Sequence, residues 1–340
     1  MSEEQPTTTA AAATETAPPA PEPAAAPAAA PIPAPAPAPA PASTTPTETQ
    51  TQPETSKAAL PDEPVVPLQE LWATAKAHEH PEIWGVTLED PSTHIPSQVV
   101  LQKFLNANDG DVATARDQLT KTLDWRKKMQ PLELIKQSFS KEKFGGLGYV
   151  TVHSAEGDDD KGAAAKEIFT WNVYGNVKSI DVTFGDLDEF IRWRVALMEQ
   201  AVQELSLSTA TAPITADPDA DPYKMFQVHD YKGVSFLRQA PQVKAASTET
   251  IRVFATAYPE LLKEKFFVNV PAVMGFMYSF IKLFVAARTI KKFHPMSNGA
   301  NLAKEDFGGS KVPLGQMLPP EYGGQGADLK TQGTEPAVVE

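Results

Sequence analysis

From Gly146 to Met296 the sequence alternates short β-branched and aromatic runs with longer amphipathic ones, and this alternation constrains the fold more than any other feature. Strands are expected at Leu147–His153, Glu167–Tyr174, Lys224–Val234, Lys265–Val270 and Thr289–Met296. Between them, Leu187–Leu207 repeats Phe190, Trp193, Leu197, Val202 and Leu205 near a helical period. Thr248–Tyr258 and Val273–Ala286 read as further helices, the latter with Val273, Phe276, Met277, Phe280, Ile281 and Phe284. Strands separated by helices need crossover connections, so the pattern predicts an α/β fold, a largely parallel sheet with helices packed on it.

Upstream, the spacing predicts helices only. Pro67–Lys76 places Leu68, Leu71 and Trp72 on one face, and Pro96–Met129 holds two helices joined by Asn106-Ala107-Asn108-Asp109-Gly110. Asn108 or Asp109 is expected to stop the first and cap the second. His78 and His80 stand two apart, on different helix faces, which disfavours a paired metal site. Further upstream, 14 of the 32 prolines fall within the first 60 residues, a stretch with no glycine and no aromatic residue. Such a segment cannot bury enough apolar surface to offset its ordering entropy. The expected organisation is a disordered arm over 1–66, a helical module over 67–130, a ligand-binding domain over 131–328 and a disordered tail over 329–340.

Charge and composition exclude several functions. Of the net −13, the first 60 residues carry −5, leaving −8 on the folding unit. An acidic fold lacks the basic face that nucleic acid requires, so no nucleic-acid partner is expected. With no cysteine, disulfides, thiolate metal sites and cysteine nucleophiles are excluded, which fits a reducing cytoplasm. Met1-Ser2-Glu3-Glu4 does not open like a signal peptide. Phe266–Ala287 is broken by Asn269, Pro271, Ser279 and Lys282, and reads as a strand followed by an amphipathic helix rather than a membrane span. Asp158-Asp159-Asp160 lacks the ligand spacing of a calcium loop and reads as a solvated turn. There is no Walker loop, dinucleotide-binding turn or nucleophile elbow.

The third strand is the chemically unusual one. Alternation puts Met225, Gln227, His229 and Tyr231 on one face and Phe226, Val228 and Asp230 on the other. In a sheet such a Tyr and His are ordinarily satisfied core residues. Facing a cavity, a phenol and an imidazole two positions apart could both reach one planar, metal-bearing ligand.

Four ordered blocks resemble the CRAL-TRIO lipid-transfer family. They are Leu101–Ala107 with Asp111–Lys127, Asp230-Tyr231-Lys232-Gly233-Val234-Ser235, Tyr258–Leu262 with Phe267–Pro271, and Leu318-Pro319-Pro320-Glu321-Tyr322-Gly323-Gly324. The resemblance implies a sheet floor, packed helices and a mobile gate helix at Val273–Ala286, preceded by a small all-helical module. One hydrophobic ligand, often phosphatidylinositol, would be enclosed. Val228–Gly233, Trp171–Gly175 and Arg192–Glu199 further resemble the family's fungal haem-binding, phosphatidylinositol-transfer branch.

That branch implies haem b, with Tyr231 as axial iron ligand, His229 beside it, and contacts from Tyr174, Arg194 and Lys265. The two cations would pair with haem propionates. It implies a non-enzymatic carrier, cytoplasmic and peripheral on endoplasmic reticulum or microsomal membranes, serving phosphoinositide homeostasis or an oxidant response. Lys282, Arg288, Lys291 and Lys292 either meet anionic headgroups or form a solvated helix end. Two alternatives stand beside this: a haem-dependent redox enzyme or sensor, and a lipid carrier without haem in which His229 and Tyr231 shape the pocket.

Overall fold

The structure, a computed structural model, describes residues 65–155, 166–234, 240–271, 287–310 and 312–340. Residues 1–64 of the proline-rich arm, the acidic turn and the helix expected over 273–286 lie outside these residues.

The chain opens with helix α1 (Val65–Lys76) and a tight hairpin, β1 (Glu82–Ile83) and β2 (Val86–Thr87). Its turn residues Trp84 and Gly85 both have positive φ, 55° and 84°, as a two-residue hairpin of this hand requires. Helices α2 (Ile95–Ala107) and α3 (Val112–Met129) follow. Asn108 ends α2 as expected, but the cap of α3 is Asp111, whose carboxylate accepts the Thr114 N–H. Asp109 cannot take that role, because it and Gly110 turn through positive φ, 53° and 82°, whereas a cap residue is extended. Short helices α4 (Pro131–Leu134) and α5 (Lys141–Phe144) flank strand β3 (Phe139–Ser140).

The main sheet runs β4 (Gly148–Ser154), β5 (Lys166–Val173), β6 (Met225–Asp230), β7 (Leu262–Val268), β8 (Phe293–Pro295), in that spatial order. The β4–β5 pair is antiparallel and the others are parallel. Helices α6 (Ile180–Phe184) and α7 (Leu187–Glu204) connect β5 to β6, and α8 (Pro241–Ala257) connects β6 to β7. Strand β6 stops four residues before the expected Val234: the Asp230 carboxylate accepts the Lys232 N–H and Gly233 turns at φ 78°. The last strand is also shorter than expected, since Ala287–Ile290 is a helical turn.

One face of the sheet packs Phe169, Trp171, Phe226, Val228 and Phe266 against Phe307, Leu314, Leu318 and Tyr322 of the C-terminal segment. On the other side a single hydrophobic cluster runs from Leu68 in α1 to Leu261, so the N-terminal module shares its core with the sheet domain. Trp84 seals the join, donating its indole N–H to the Ala257 carbonyl at 3.0 Å.

The tail expected to be disordered is instead folded. Leu329–Gln332 is helical with Asp328 as its cap, and Val338–Val339 forms β9, parallel to β3. Between them Thr334 exchanges both backbone hydrogen bonds with Val150, at 2.8 and 2.9 Å. The tail thereby covers the edge strand β4, whose unpaired backbone groups would otherwise face solvent. Among the described residues no helix is long and apolar enough to cross a membrane.

Candidate functional site

Strand register lays the site out as a grid on the α7 side of the sheet. Thr170, Gln227, Lys265 and Phe293 are successive neighbours across β5 to β8. Asn172, His229, Phe267 and Pro295 form the next row. Two residues further along, Tyr174 and Tyr231 meet where β5 and β6 end, with ring centroids 5.2 Å apart. Tyr174 also lies 5.5 Å from His229, and His229 5.6 Å from Phe267. The Tyr174 turn can press against the Tyr231–Lys232 turn because residue 175 is glycine: a Cβ there would sit 2.1 Å from the Lys232 carbonyl oxygen.

Lys265 reaches this face through a β-bulge. The register shifts between Met225–Leu262 and Gln227–Lys265, so β7 carries one extra residue. Lys263 consequently points to the opposite face, pairing with Glu167 at 2.7 Å and lying over Phe226. The Lys265 ammonium stands 5.4 Å from the Phe267 ring centre and 5.6 Å from that of Phe293. Arg194, buried on α7, sets its guanidinium 5.2 Å from the Phe254 ring.

The electrostatics are those of a cationic, largely dehydrated cluster. Burial pushes Lys265 down to about 7, helped by repulsion from Arg194. Burial also lowers Arg194, against the opposing influence of Tyr174 and Tyr231. His229 is held well below the usual imidazole range by burial, then by Lys265 and Arg194, and is neutral. Burial raises both phenols, so each keeps its proton. Arg194 and Lys265 have no carboxylate partner among the described residues. Asn172 Oδ1, Arg194 Nε and His229 Nε2, all buried here, also lack a hydrogen-bond partner among the described residues. Buried unpaired charge and orphaned polar atoms are costly, and an anionic ligand with hydrogen-bonding groups would relieve both.

All five residues singled out in the sequence, Tyr174, Arg194, His229, Tyr231 and Lys265, thus fall in one cluster. The sequence reasoning placed Gln227 on this face without giving it a role and missed Thr170 and Asn172, whose polarity on an otherwise apolar strand was the available signal. Of the basic residues set beside the expected gate, Lys292 turns inward and donates to the Leu262 carbonyl at 3.0 Å, while Lys291 is exposed. No group of three His, Cys, Asp or Glu suited to a metal occurs among the described residues.

The CRAL/TRIO domain model matches residues 171–324 and the CRAL/TRIO N-terminal domain model residues 57–121. A protein named phosphatidylinositol transfer protein sfh-5, from Neurospora crassa, is 60% identical over 276 residues, covering 80% of this chain and 75% of its own length. The chain belongs to the CRAL/TRIO family. Phosphatidylinositol transfer protein SFH5 of Pyricularia oryzae is 68% identical over 266 residues, 78% of this chain and 65% of that protein. That of Chaetomium globosum is 66% identical over 273 residues, 80% of this chain and 62% of that protein. The chain therefore spans just under two thirds of these last two relatives. A solved structure described as the crystal structure of Sfh5 superposes with a TM-score of 0.61 at 26% identity, covering 79% of this chain and 88% of the other. The CRAL/TRIO match encloses all five clustered residues.

Proposed function

We propose that this CRAL/TRIO chain is a phosphatidylinositol-binding and transfer protein that also holds haem b, with Tyr231 as axial iron ligand. It acts as a carrier rather than a catalyst, in the cytoplasm and peripherally on endoplasmic reticulum or microsomal membranes. The relatives' names support the lipid part. The haem part is carried by one observation: buried Arg194 and half-buried Lys265 have no counter-ion among the described residues, beside orphaned Arg194 and His229 nitrogens and a pair of phenols.

The donor set fits such a ligand. Haem b supplies a flat apolar macrocycle, two carboxylates and an iron that accepts an oxygen donor. Phe267, Phe293 and Tyr174 offer aromatic walls, and Arg194 and Lys265 match the carboxylates, where charge-assisted hydrogen bonds contribute about 1.5–3 kcal/mol each. Tyr231 would release its phenolic proton on binding iron, as metal ligands do. His229, neutral, stands on the same strand face and can hydrogen-bond without adding charge.

The test is a visible spectrum of the purified protein, before and after supply of haem, for wild type and Tyr231→Phe. Wild type should be coloured, and the variant should lose haem or change its spectrum. A wild type that stays colourless with haem supplied returns the chain to a lipid carrier alone. Transfer of labelled phosphatidylinositol between vesicles should exceed the buffer rate, and transfer no faster than buffer would defeat the lipid part.

A further inference from the structure

Three of the four sequence blocks that identify the family converge on one buried carboxylate that the ligand site does not use. Asp230 ends β6 with its side chain on the aromatic face, opposite His229 and Tyr231. Its Oδ1 accepts from Asn269 Nδ2 at 2.7 Å and from the Lys232 N–H at 2.8 Å. Its Oδ2 accepts from the Tyr322 hydroxyl at 2.9 Å. Asp230 is only 6% exposed and has no lysine or arginine partner among the described residues. Burying a carboxylate on neutral donors alone is costly, so its place calls for a reason beyond capping a turn.

The donors are themselves fixed. Asn269 holds a left-handed backbone, φ 59°, and its Oδ1 accepts the Gly299 N–H at 2.8 Å. A Cβ on Gly299 would lie 2.7 Å from Asn269 Nδ2, so glycine permits this approach. The Tyr322 ring packs on Trp171, 4.7 Å between centroids. The backbone they secure is that of Tyr231: its N–H donates to the Val268 carbonyl at 3.1 Å and its carbonyl accepts from Val234 at 3.0 Å.

We propose that Asp230, held by Tyr322 and Asn269, is a positioning residue for Tyr231, fixing the turn that aims its phenol at the bound ligand. The inference rests on the reading of Tyr231 as axial ligand. The Asp230 carboxylate lies on the opposite sheet face from the Tyr231 phenol and bonds the Lys232 N–H, so it acts through the backbone of the turn. Iron ligation tolerates little misplacement of the donor oxygen, and residues that hold a ligand in place typically matter about 10–100-fold in affinity.

The experiment compares haem-loaded wild type with Asp230→Asn, Tyr322→Phe and Phe307→Leu. Tyr322→Phe keeps the ring on Trp171 and removes only the hydroxyl. Phe307→Leu loosens the same aromatic core without touching the network. The expected result is haem loss accelerated about tenfold in the first two, with an altered ferric electron spin resonance signal, and neither change in the third. In the haem-free protein, Tyr322→Phe should also speed amide exchange at Lys232 and Val234. Unchanged haem loss and an unchanged signal in both network variants, or equal changes in Phe307→Leu, overturn the inference while a Tyr231-dependent wild-type spectrum keeps the haem reading. A colourless wild type overturns that reading, and this inference with it.

Discussion

Two arginines on interior helix faces make the sharpest contrast in the molecule. Arg126 of α3 is wholly buried and Arg194 of α7 is 3% exposed, so dehydration is nearly the same for both. Arg126 meets Glu82 at 2.8 and 3.0 Å and Glu199 at 2.9 and 3.2 Å. Tyr258 adds a hydrogen bond to Glu199 at 2.8 Å. Burial opposes the charge of Arg126, but Glu199 and then Glu82 outweigh it and hold the guanidinium above its ordinary value. Arg194 has two phenols and, among the described residues, no carboxylate, and is pushed the other way. Equal burial with opposite satisfaction separates the two roles. Arg126 ties the N-terminal module to α7 within the protein, while Arg194 has no counter-ion among the described residues, the condition the proposed anionic ligand would meet.

The largest expected effect follows from the satisfied side. Glu199→Ala leaves the Arg126 charge half-paired and the Tyr258 hydroxyl without its acceptor. It should cost about 3–5 kcal/mol in urea unfolding of the ligand-free protein. A loss below about 1 kcal/mol would show that this buried cluster is not what joins module to domain.

Arg194→Met should behave in the opposite sense. Removing a buried charge with no counter-ion among the described residues should leave the ligand-free protein as stable as wild type, or up to about 2 kcal/mol more stable. The affinity for an anionic ligand should fall at least tenfold, worth about 1.4 kcal/mol. Unfolding with and without haem reads both quantities together. If Arg194→Met destabilises the empty protein as Glu199→Ala does, the two arginines are alike and the contrast fails.

What was legible in the sequence follows the range of the interaction behind it. The alternation that builds β4 to β7 and the helices α1 to α3 and α7 were readable from local pattern; His229 and Tyr231 stood out by strand alternation, and Tyr174, Arg194 and Lys265 were reached only through the family resemblance. The Arg126–Glu199 pair was not, because the two lie 73 residues apart and Arg126 reads as one member of a basic helix end. The bulge before Lys265 was not, because one inserted residue leaves no mark on hydropathy; strict alternation would put Lys263 and Lys265 on the same face. The ordered tail was not, because residues 329–340 have no periodicity of their own and owe their order to the edges of β4 and β3. Asn172 and Gln227 were visible as letters, but their meaning depends on rows formed only when three strands pair.

The smallest expected effect is a pH dependence of the empty site. Lys265 falls to about 7 in the folded protein, against about 10.4 for an unfolded lysine. Between those values the unfolded chain binds the proton and the folded chain does not, so stability rises with pH across that window. Below about 7 the penalty of the buried charge is fully present. An anionic ligand reverses the preference by pairing with the charged ammonium, so its binding should take up a proton near and above pH 7, and its affinity should weaken as pH rises. Calorimetry of ligand binding in buffers of different ionisation heat measures that uptake, and urea unfolding from pH 7 to 10 measures the slope. Lys265→Met should lose both signals, whereas Lys263→Met, on the far side of the bulge and paired with Glu167, should keep them. Equal loss in the two variants would mean that the bulge does not divide ligand-facing from self-satisfied charge.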